Sequence, residues 1–494
     1  MNSFSRAIAR IIETVCRFVA VMAQTTPFVK IGALTLLIYL GIWAFYDNPA
    51  MSGPRVNREV FLWPVVILLL GTYWVGYQRL KHGMEEFPLR TTIGFGMAMA
   101  FCALMTEPFH STDMFGYINR GWEQVQYGLN PYVYPIDAIK GWKDDPMFTS
   151  HWSNNPSPYA FLFVLIAKWI CTLGGGNFDF TVLLFKALNL LVYAVTGWFL
   201  YKGSEKLGFD RPDLALYLFL WNPLILVHQI ANGHNDLLMG FLVVAAVHCA
   251  ICGGLVWILP LLTAAVLIKY APVILLPIAV FYLFKQRAWG ALALGCILSA
   301  GLAYACALPY LPDLDQARLA LIERNAFVSR GSLHALLFDS WKEIANLMPA
   351  LKPYEEMARA FLKNTLLLGF VLFYAWQGLR QIKQTFDVSK FIHFCTLMLF
   401  ALITVVSLKF YPWYVAIFMP VALLLPVTSP LRPMIILLSC GQMLSLTAVG
   451  QTNFLNVLMI TALPLWLGWY AFKNPTLTAV CEDRSFNRVV AETL

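Results

Sequence analysis

Long apolar runs dominate the chain from residue 28 to residue 471. A membrane-crossing helix needs about 20 mostly apolar residues, whereas the strands of a membrane barrel alternate polar and apolar positions. The pattern therefore predicts an all-α polytopic membrane protein with about 13–14 transmembrane helices. The runs lie at about 28–46, 60–78, 88–106, 181–201, 212–231, 236–252, 254–268, 271–284, 288–309, 361–378, 391–408, 413–427, 432–449 and 454–471.

The composition supports this class. Of the 494 residues, 59% are hydrophobic and 13% are charged, whereas a soluble domain has about 25% charged residues. So little charge cannot cover a water-facing surface, which excludes an ordinary soluble enzyme, a disordered chain and a nucleic-acid-binding module.

The distribution of Lys and Arg predicts the orientation, because these residues collect in short cytoplasmic loops. Loops of one parity contain most of them, for example 79–90, 202–211 and 380–390, whereas the short loops of the other parity, such as 174–180 and 232–235, contain few or none. We therefore expect cytoplasmic N- and C-termini, with the two long loops, about 107–180 and 310–360, facing outward. The predicted segments are an interfacial amphipathic helix (1–27), two N-terminal transmembrane helices (28–87), a core (88–310) containing the outer loop 107–180, a second outer loop (311–360), C-terminal transmembrane helices (361–472) and a cytoplasmic tail (473–494).

Two apolar stretches need a special interpretation. The run 159–173, counted as a span, would move Lys202, Lys206 and Arg211 to the outer side. We therefore predict that it lies on the outer membrane surface as a juxtamembrane helix. The stretch 254–284 should break near Pro272, since proline lacks a backbone donor and disfavours helix at the preceding residue.

The first candidate chemistry follows the third apolar run. Asp113, Tyr117 and Arg120 have helical spacing, so they would share one face. A carboxylate at the mouth of a bundle is costly unless it meets water or a partner. Asp113 could be a general base oriented by Arg120, or the two could form a structural ion pair at a helix start.

The first outer loop contains a second group: Asn130, Tyr132, Trp152 and Tyr159 lie beside Asn-Pro and Ser-Pro turns. Aromatic rings and amides suit carbohydrate, which has polar edges and C–H faces. The alternative is a folded outer loop with aromatic residues at the interface.

A polar turn, 232–236, lies between two apolar runs and contains His234, Asn235 and Asp236. These side chains could orient a substrate or bind a metal. The alternative is that Asn235 or Asp236 only caps the following helix.

Cationic and aromatic residues on the remaining outer turns form the last group. Lysines there oppose the usual charge distribution, which binding of a lipid phosphate would explain; snorkelling to headgroups is the alternative for either lysine. The group comprises Lys269, Arg324, Arg330, Lys409, Tyr411 and Trp413.

The sequence contains no P-loop, no dinucleotide fingerprint and no Gly-x-Ser-x-Gly motif. A site on the outer face would not meet cytoplasmic nucleotides. A sugar donor used there must itself reside in the membrane, as polyprenyl-phosphate sugars do.

Taken in order, these segments resemble the integral-membrane glycosyltransferases of the GT-C superfamily, and most closely the bacterial polyprenol-phosphomannose-dependent alpha-1,6-mannosyltransferases. The matching residues are Asp113…Tyr117, Gly128…Asn130-Pro131-Tyr132, and Trp152…Pro156…Pro158-Tyr159 before the helix 159–173. The chain departs from the family pattern at Asn130, often Asp, and at Ala160-Phe161, often Gly-Pro. Both departures leave the sugar and the acceptor open.

The resemblance implies an inverting transfer of a hexose, with mannose expected, from a polyprenyl-phosphate sugar to a glycan or glycolipid at the outer face of a bacterial inner membrane. Asp113 would be the catalytic base, and Lys269, Arg324, Arg330 and Lys409 would contact phosphate. No cofactor is required by the pattern, although Asp113 and Asp236 could hold Mg²⁺ or Mn²⁺. The expected substrate contacts are Tyr117, Arg120, Asn130, Tyr132, Trp152, Tyr159, His234, Asn235, Asp236, Tyr411 and Trp413.

Other functions remain open from the sequence. A transporter or lipid flippase would show inverted repeats and polar midplane residues, and we see no repeat. A ligase or polymerase of undecaprenyl-diphosphate glycans should have more arginine for the additional phosphate. A structural scaffold is not excluded by composition.

Overall fold

A computed structural model describes residues 27–47, 58–85, 88–313, 315, 330–446 and 456–474. Over these residues the protein is helical, without strands, apart from one isolated bridge between Arg330 and Lys409. The α-helices are Phe28–Asp47, Arg58–Lys81, Pro88–Met105, Asp113–Gln126, Phe161–Gly174, Phe178–Lys206, Pro212–Leu220, Asp236–Cys252, Ile258–Val266, Leu275–Lys285, Trp289–Ala307, Leu333–Leu347, Glu355–Ile382, Val388–Ala401, Val415–Ala422, Leu431–Gln442 and Leu463–Lys473.

The all-α polytopic class is confirmed. Among the described residues, six helices are long and apolar enough to cross a membrane, or seven if one bent pair is a single span. Most of the other predicted runs are apolar helices of 10–17 residues, shorter than the usual span of about 20. Length and composition therefore support fewer complete crossings than predicted. Residues 1–26 of the predicted interfacial helix and the tail beyond 474 lie outside the described residues.

The bent pair arises at Asn222-Pro223. The predicted run 212–231 divides into Pro212–Leu220 and a π-helical segment, Ile225–Ala231, with a bend of 56° between them. Proline disfavours helix at the residue before it. The Asn222 side chain accepts hydrogen bonds from the backbone N–H groups of Leu224 and Ile225, at 3.0 and 3.3 Å, and so replaces the lost helical partners.

The predicted break near Pro272 is confirmed, since Ile258–Val266 ends before it and Leu275–Lys285 follows it. The carbonyls of Leu267 and Ile268 accept hydrogen bonds from the backbone N–H groups of Leu162 (2.9 Å) and Ala160 (3.2 Å). These donors belong to the start of the helix Phe161–Gly174, whose first N–H groups have no partner within that helix. The free N–H groups at the start of one helix therefore pair with the free carbonyls just beyond the end of the other.

The helix Phe161–Gly174 matches the predicted juxtamembrane helix 159–173. Its 14 residues are too few to cross a bilayer, as a span needs about 20. It packs along the helix Asp113–Gln126, and the buried Gly121 allows this close approach, because a Cβ there would overlap the Ala167 carbonyl. Its position on the membrane surface stays a prediction.

Candidate active site

Asp113 lies at the start of the helix Asp113–Gln126, so the predicted helical spacing of this segment is confirmed. Its side chain is 21% exposed, and Oδ2 lies 3.6 Å from Nδ1 of the fully buried His234. Burial raises the pKa of Asp113 to about 6, whereas Lys269 and Lys409 lower it and Asp236 raises it. At neutral pH the carboxylate is thus charged and basic enough to accept a proton.

Asn232 fixes the segment that leads into Asp113. Its Oδ1 accepts hydrogen bonds from the backbone N–H groups of Phe109 (2.9 Å) and His110 (2.7 Å). Its Nδ2 donates to the Val227 carbonyl at 2.8 Å. The buried Asn232 amide therefore joins the backbone of Phe109 and His110, which precedes Asp113, to the polar turn.

The polar turn is built around Gly233, which has a φ of +67°. This conformation disfavours a side chain, and the Met114 side chain occupies the space where a Cβ would lie. Asn235 precedes the next helix without a side-chain capping bond. Its Oδ1 instead accepts from the Tyr117 hydroxyl at 3.4 Å, so capping does not account for Asn235.

Lys269 forms the cationic part of the site. Its Nζ donates to Oδ1 of the buried Asp236 at 2.7 Å. The same ammonium lies 5.8 Å and 5.3 Å from the ring centroids of Tyr159 and Tyr414, within cation–π range. Lys269 therefore faces a carboxylate and two aromatic rings, which snorkelling to lipid headgroups would not explain.

A stack of three rings reaches the site from the turn 411–414. The rings of His234 and Trp413 are 4.0 Å apart and 14° from parallel, and those of Trp413 and Tyr411 are 4.6 Å apart and 8° from parallel. The Gln229 side chain connects the two segments, because Nε2 donates to the Trp413 carbonyl and Oε1 accepts from the Leu237 N–H.

Arg330 and Lys409 are brought together by backbone pairing. The N–H of Arg330 donates to the Leu408 carbonyl at 3.1 Å, and the N–H of Phe410 donates to the Arg330 carbonyl at 3.0 Å. The two cations therefore sit on adjacent segments beside the ring stack. Arg324, the other predicted phosphate contact in this loop, lies outside the described residues.

Arg120 does not join this cluster. Its guanidinium binds both carboxylate oxygens of Glu123 at 3.0 Å and also donates to the carbonyls of Trp152 and Asn155. The ion pair considered from the sequence joined Arg120 to Asp113, whereas the structure pairs Arg120 with Glu123. Arg120 therefore secures the outer loop, and a role as orienter of Asp113 has no contact to support it.

Asn130 and Tyr132 are held by contacts with Asp313, Phe161 and Tyr310. The Asn130 amide donates to Asp313 at 3.1 Å and accepts from the Tyr132 N–H at 3.0 Å. The Tyr132 ring packs edge-on against Phe161 and Tyr310. These contacts fit the folded-loop alternative, while the 49% exposed Trp152 remains accessible to a substrate. Substrate contacts by Asn130, Tyr132 and Trp152 remain predictions.

Three neighbouring residues escaped sequence reasoning: His110, His228 and Gln229. The His110 and His228 rings are 5.2 Å apart, and neither ring nitrogen of the fully buried His228 has a hydrogen-bond partner among the described residues. Burial and Arg330 lower the pKa of His110 to about 4. The presence of His228-Gln229 within the apolar run 212–231 was the sequence signal that could have identified them, since polar residues inside membrane segments are commonly functional.

A metal ion has no evident ligand set here. Within the described ranges, no three His, Cys, Asp or Glu side chains converge in a way that could hold one. Lys269 occupies Asp236 Oδ1, while Oδ2 has no partner among the residues described. The predicted Mg²⁺ or Mn²⁺ between Asp113 and Asp236 stays a prediction.

Comparison with known proteins gives a consistent family. Residues 19–285 match the family described as "Alpha-(1->6)-mannopyranosyltransferase, N-terminal domain". The chain is 29% identical over 228 residues to alpha-(1->6)-mannopyranosyltransferase A of Mycobacterium tuberculosis, covering 46% of this chain and 43% of the relative. It is 30% identical over 187 residues to the Corynebacterium glutamicum protein of the same name, covering 37% of each.

The chain thus aligns with less than half the length of these relatives. No solved structure matches it significantly. The matched region contains Asp113, the polar turn and Lys269, whereas Arg330 and the ring-stack residues of the turn 411–414 lie beyond it. Since the family match covers more than half of the chain, the protein belongs to the alpha-(1->6)-mannopyranosyltransferase family.

Proposed function

We propose that this protein is a mannosyltransferase that moves a mannosyl group from polyprenyl-phosphate-mannose to a hydroxyl of a glycan or glycolipid acceptor. The reaction takes place on the outer face of a bacterial inner membrane. The observation that carries the proposal is the position of Asp113. This partly exposed carboxylate, with a pKa of about 6, lies next to His234 and within the electrostatic influence of Lys269 and Lys409.

The reaction is a single displacement at the anomeric carbon, which inverts its configuration. The acceptor oxygen forms a bond to C1 while the bond between C1 and the phosphate oxygen breaks. Asp113 takes the proton of the attacking hydroxyl, and polyprenyl phosphate leaves with the electron pair. Because the sugar becomes oxocarbenium-like, the hydroxyl turns acidic late in the reaction, when a carboxylate can accept its proton.

The charge that develops on the leaving phosphate needs cationic partners. Lys269 is preorganised by Asp236 and two tyrosine rings, while Arg330 and Lys409 are held side by side by backbone pairing. Tyr159 and the Asn235-Asp236 segment line the same cluster and would contact the sugar.

The test is sugar transfer by the purified protein in lipid nanodiscs. Polyprenyl-phosphate-mannose is compared with the polyprenyl-phosphate glucose and arabinose analogues and with GDP-mannose. We expect transfer from the lipid-linked mannose, and a loss of about 10²–10⁴-fold in Asp113→Asn, the usual contribution of a general base. Asp137→Asn, an exposed aspartate of the same outer loop, is the matched control and should retain activity. Transfer from GDP-mannose alone, or full activity in Asp113→Asn, would contradict the proposal.

A further inference from the structure

The orientation of His234 depends on aromatic packing. Its backbone is held by Asn189, whose Nδ2 donates to the His234 carbonyl at 3.1 Å. Its imidazole, however, has no hydrogen-bond partner among the described residues, although it is fully buried. The face of the Trp413 ring, 4.0 Å away, is therefore the contact that sets the plane of the imidazole beside Asp113.

Trp413 is itself enclosed. His234 covers one part of its ring system and Tyr411 stacks on it at 4.6 Å, and the residue is 8% exposed. Sugar rings commonly pack on free aromatic faces, but protein rings already occupy the stacking positions of Trp413. Its contribution to the site is therefore better explained by what it holds than by direct substrate binding.

The far end of the stack is joined to the cationic pair. Tyr411 follows Lys409 by two residues, and Arg330 pairs through its backbone with Leu408 and Phe410, on either side of Lys409. A backbone displacement at Arg330 or Lys409 would therefore be transmitted to the adjoining residue Tyr411. The stack is a continuous mechanical connection from two cations to the neighbourhood of Asp113.

We propose that the stack of Tyr411, Trp413 and His234 couples recognition of the donor's anionic phosphate at Arg330 and Lys409 to the orientation of His234 toward Asp113. This inference rests on the proposed function and assigns a positioning role to Tyr411 and Trp413. When phosphate fixes the two cations, the stack holds the imidazole so that its Nδ1–H donates to the Asp113 carboxylate. The 3.6 Å separation of these atoms needs to close by less than 1 Å to reach the usual hydrogen-bond range of about 2.7–3.2 Å.

The charged and titratable groups around His234 are consistent with this role. Oδ2 of Asp113 lies 3.6 Å from its Nδ1, while burial is the main cause that lowers its pKa and His228, Lys269 and His110 lower it further. The imidazole is therefore neutral at pH 7 and carries one N–H. It can donate that proton in a hydrogen bond while Asp113 remains the base.

The kinetic test compares Trp413→Leu with Trp413→Phe, which keeps an aromatic face. With polyprenyl-phosphate-mannose as donor, we expect kcat of Trp413→Leu to fall about 10²-fold, as for a misplacement of about 1 Å, while the donor KM changes by less than about threefold. Loss of the hydrogen bond to the charged carboxylate should also raise the pKa of Asp113 in the donor complex, moving the acid limb of kcat, which reports ionisation of the enzyme–substrate complex, to higher pH. Trp413→Phe should recover most of kcat.

Phe418→Leu is the control, because this buried ring lies on the next helix and packs against Phe400 outside the stack; it should retain wild-type kcat and pH dependence. An unchanged kcat with a raised KM in Trp413→Leu would assign Trp413 to direct substrate binding and overturn the proposal. If Trp413→Leu does not accumulate in membranes, Tyr411→Leu, which removes the partly exposed outer ring, gives the same comparison.

A second measurement does not depend on sugar transfer. Protein labelled with 5-fluorotryptophan is titrated with farnesyl phosphate, and the ¹⁹F resonance of Trp413 is identified by its loss in Trp413→Phe. We expect this resonance to shift with farnesyl phosphate, to stay unchanged with farnesol, and to lose its response in the double variant Arg330→Gln/Lys409→Gln. No shift in the wild type would overturn the coupling. Failure of sugar transfer in the presence of this shift would count against the proposed function alone.

Discussion

Lowering the pH to 5 should reduce transfer about tenfold, because it protonates Asp113. With a pKa of about 6, about one tenth of the carboxyl groups remain charged at pH 5, whereas an ordinary aspartate, with a pKa of about 3.9, would remain about nine tenths charged. A base must be unprotonated to act, and burial of Asp113 favours its neutral form. The rate should therefore rise with pH through about 6 and level off above about 7.

The physical cause of this pKa can be tested separately. Burial raises the pKa, and Lys269 is the largest opposing influence, ahead of the raising effect of Asp236. Replacing Lys269 by Met removes that opposition and leaves Asp236 without its cation. The acid limb should move above pH 6 in Lys269→Met, in addition to any weakening of donor binding.

The assay is kcat/KM for polyprenyl-phosphate-mannose between about pH 4.5 and 8, since this ratio reports ionisation of the free enzyme. Each sample is also held at the test pH and returned to pH 7, so that irreversible acid damage is recognised. The assignment of this ionisation to Asp113 would be refuted by an acid limb of the kcat/KM profile with its midpoint near pH 4. It would also be refuted if a limb near pH 6 persisted in the residual activity of Asp113→Asn.

Three further outcomes are expected. Arg120→Met should destabilise the protein by about 3–5 kcal/mol, because it leaves the carboxylate of Glu123 buried without a partner, and Glu123→Met in the same chain should recover part of this loss in thermal unfolding. Asn232→Ala should reduce kcat by a larger factor than it changes the donor KM, because the backbone of Phe109 and His110, just before Asp113, loses its hydrogen-bond acceptor. Asn232→Asp keeps the acceptor oxygen and should be less impaired. In right-side-out vesicles from a background lacking the native cysteines, Lys143→Cys should react with an impermeant thiol reagent and Lys206→Cys should not; the reverse result would invert the predicted topology.

The sequence was most informative about local structure. Apolar periodicity and Pro272 identified most of the described helices and the interruption near Lys269, because both signals act over a few residues. The bend at Asn222-Pro223 was not predicted, although the same proline effect was visible there. The apolar character of the run 212–231 concealed it, since hydropathy reports burial and not backbone geometry.

Partners distant in the sequence were harder to identify. Arg120 lies three residues from Glu123 and seven from Asp113, and both spacings fit one helical face, so only the packing of the outer loop decides which carboxylate it binds. Nothing in the local pattern connects His234 with Trp413. The helices that follow these two residues approach closely at Gly240, where a Cβ would overlap the Ala416 carbonyl, and this approach is not visible in the local sequence.

The mutual capping of the helix ends at 160–163 and 267–268 has a consequence for biosynthesis. The N–H groups of Ala160 and Leu162 are synthesised about a hundred residues before the carbonyls that accept from them. Until Leu267 and Ile268 emerge, these donors must stay at the water-rich surface, because unsatisfied backbone groups are excluded from lipid. A nascent chain that ends before Leu267 should therefore leave the outer loop undocked, and that loop should acquire protease resistance only when the later helix has been inserted.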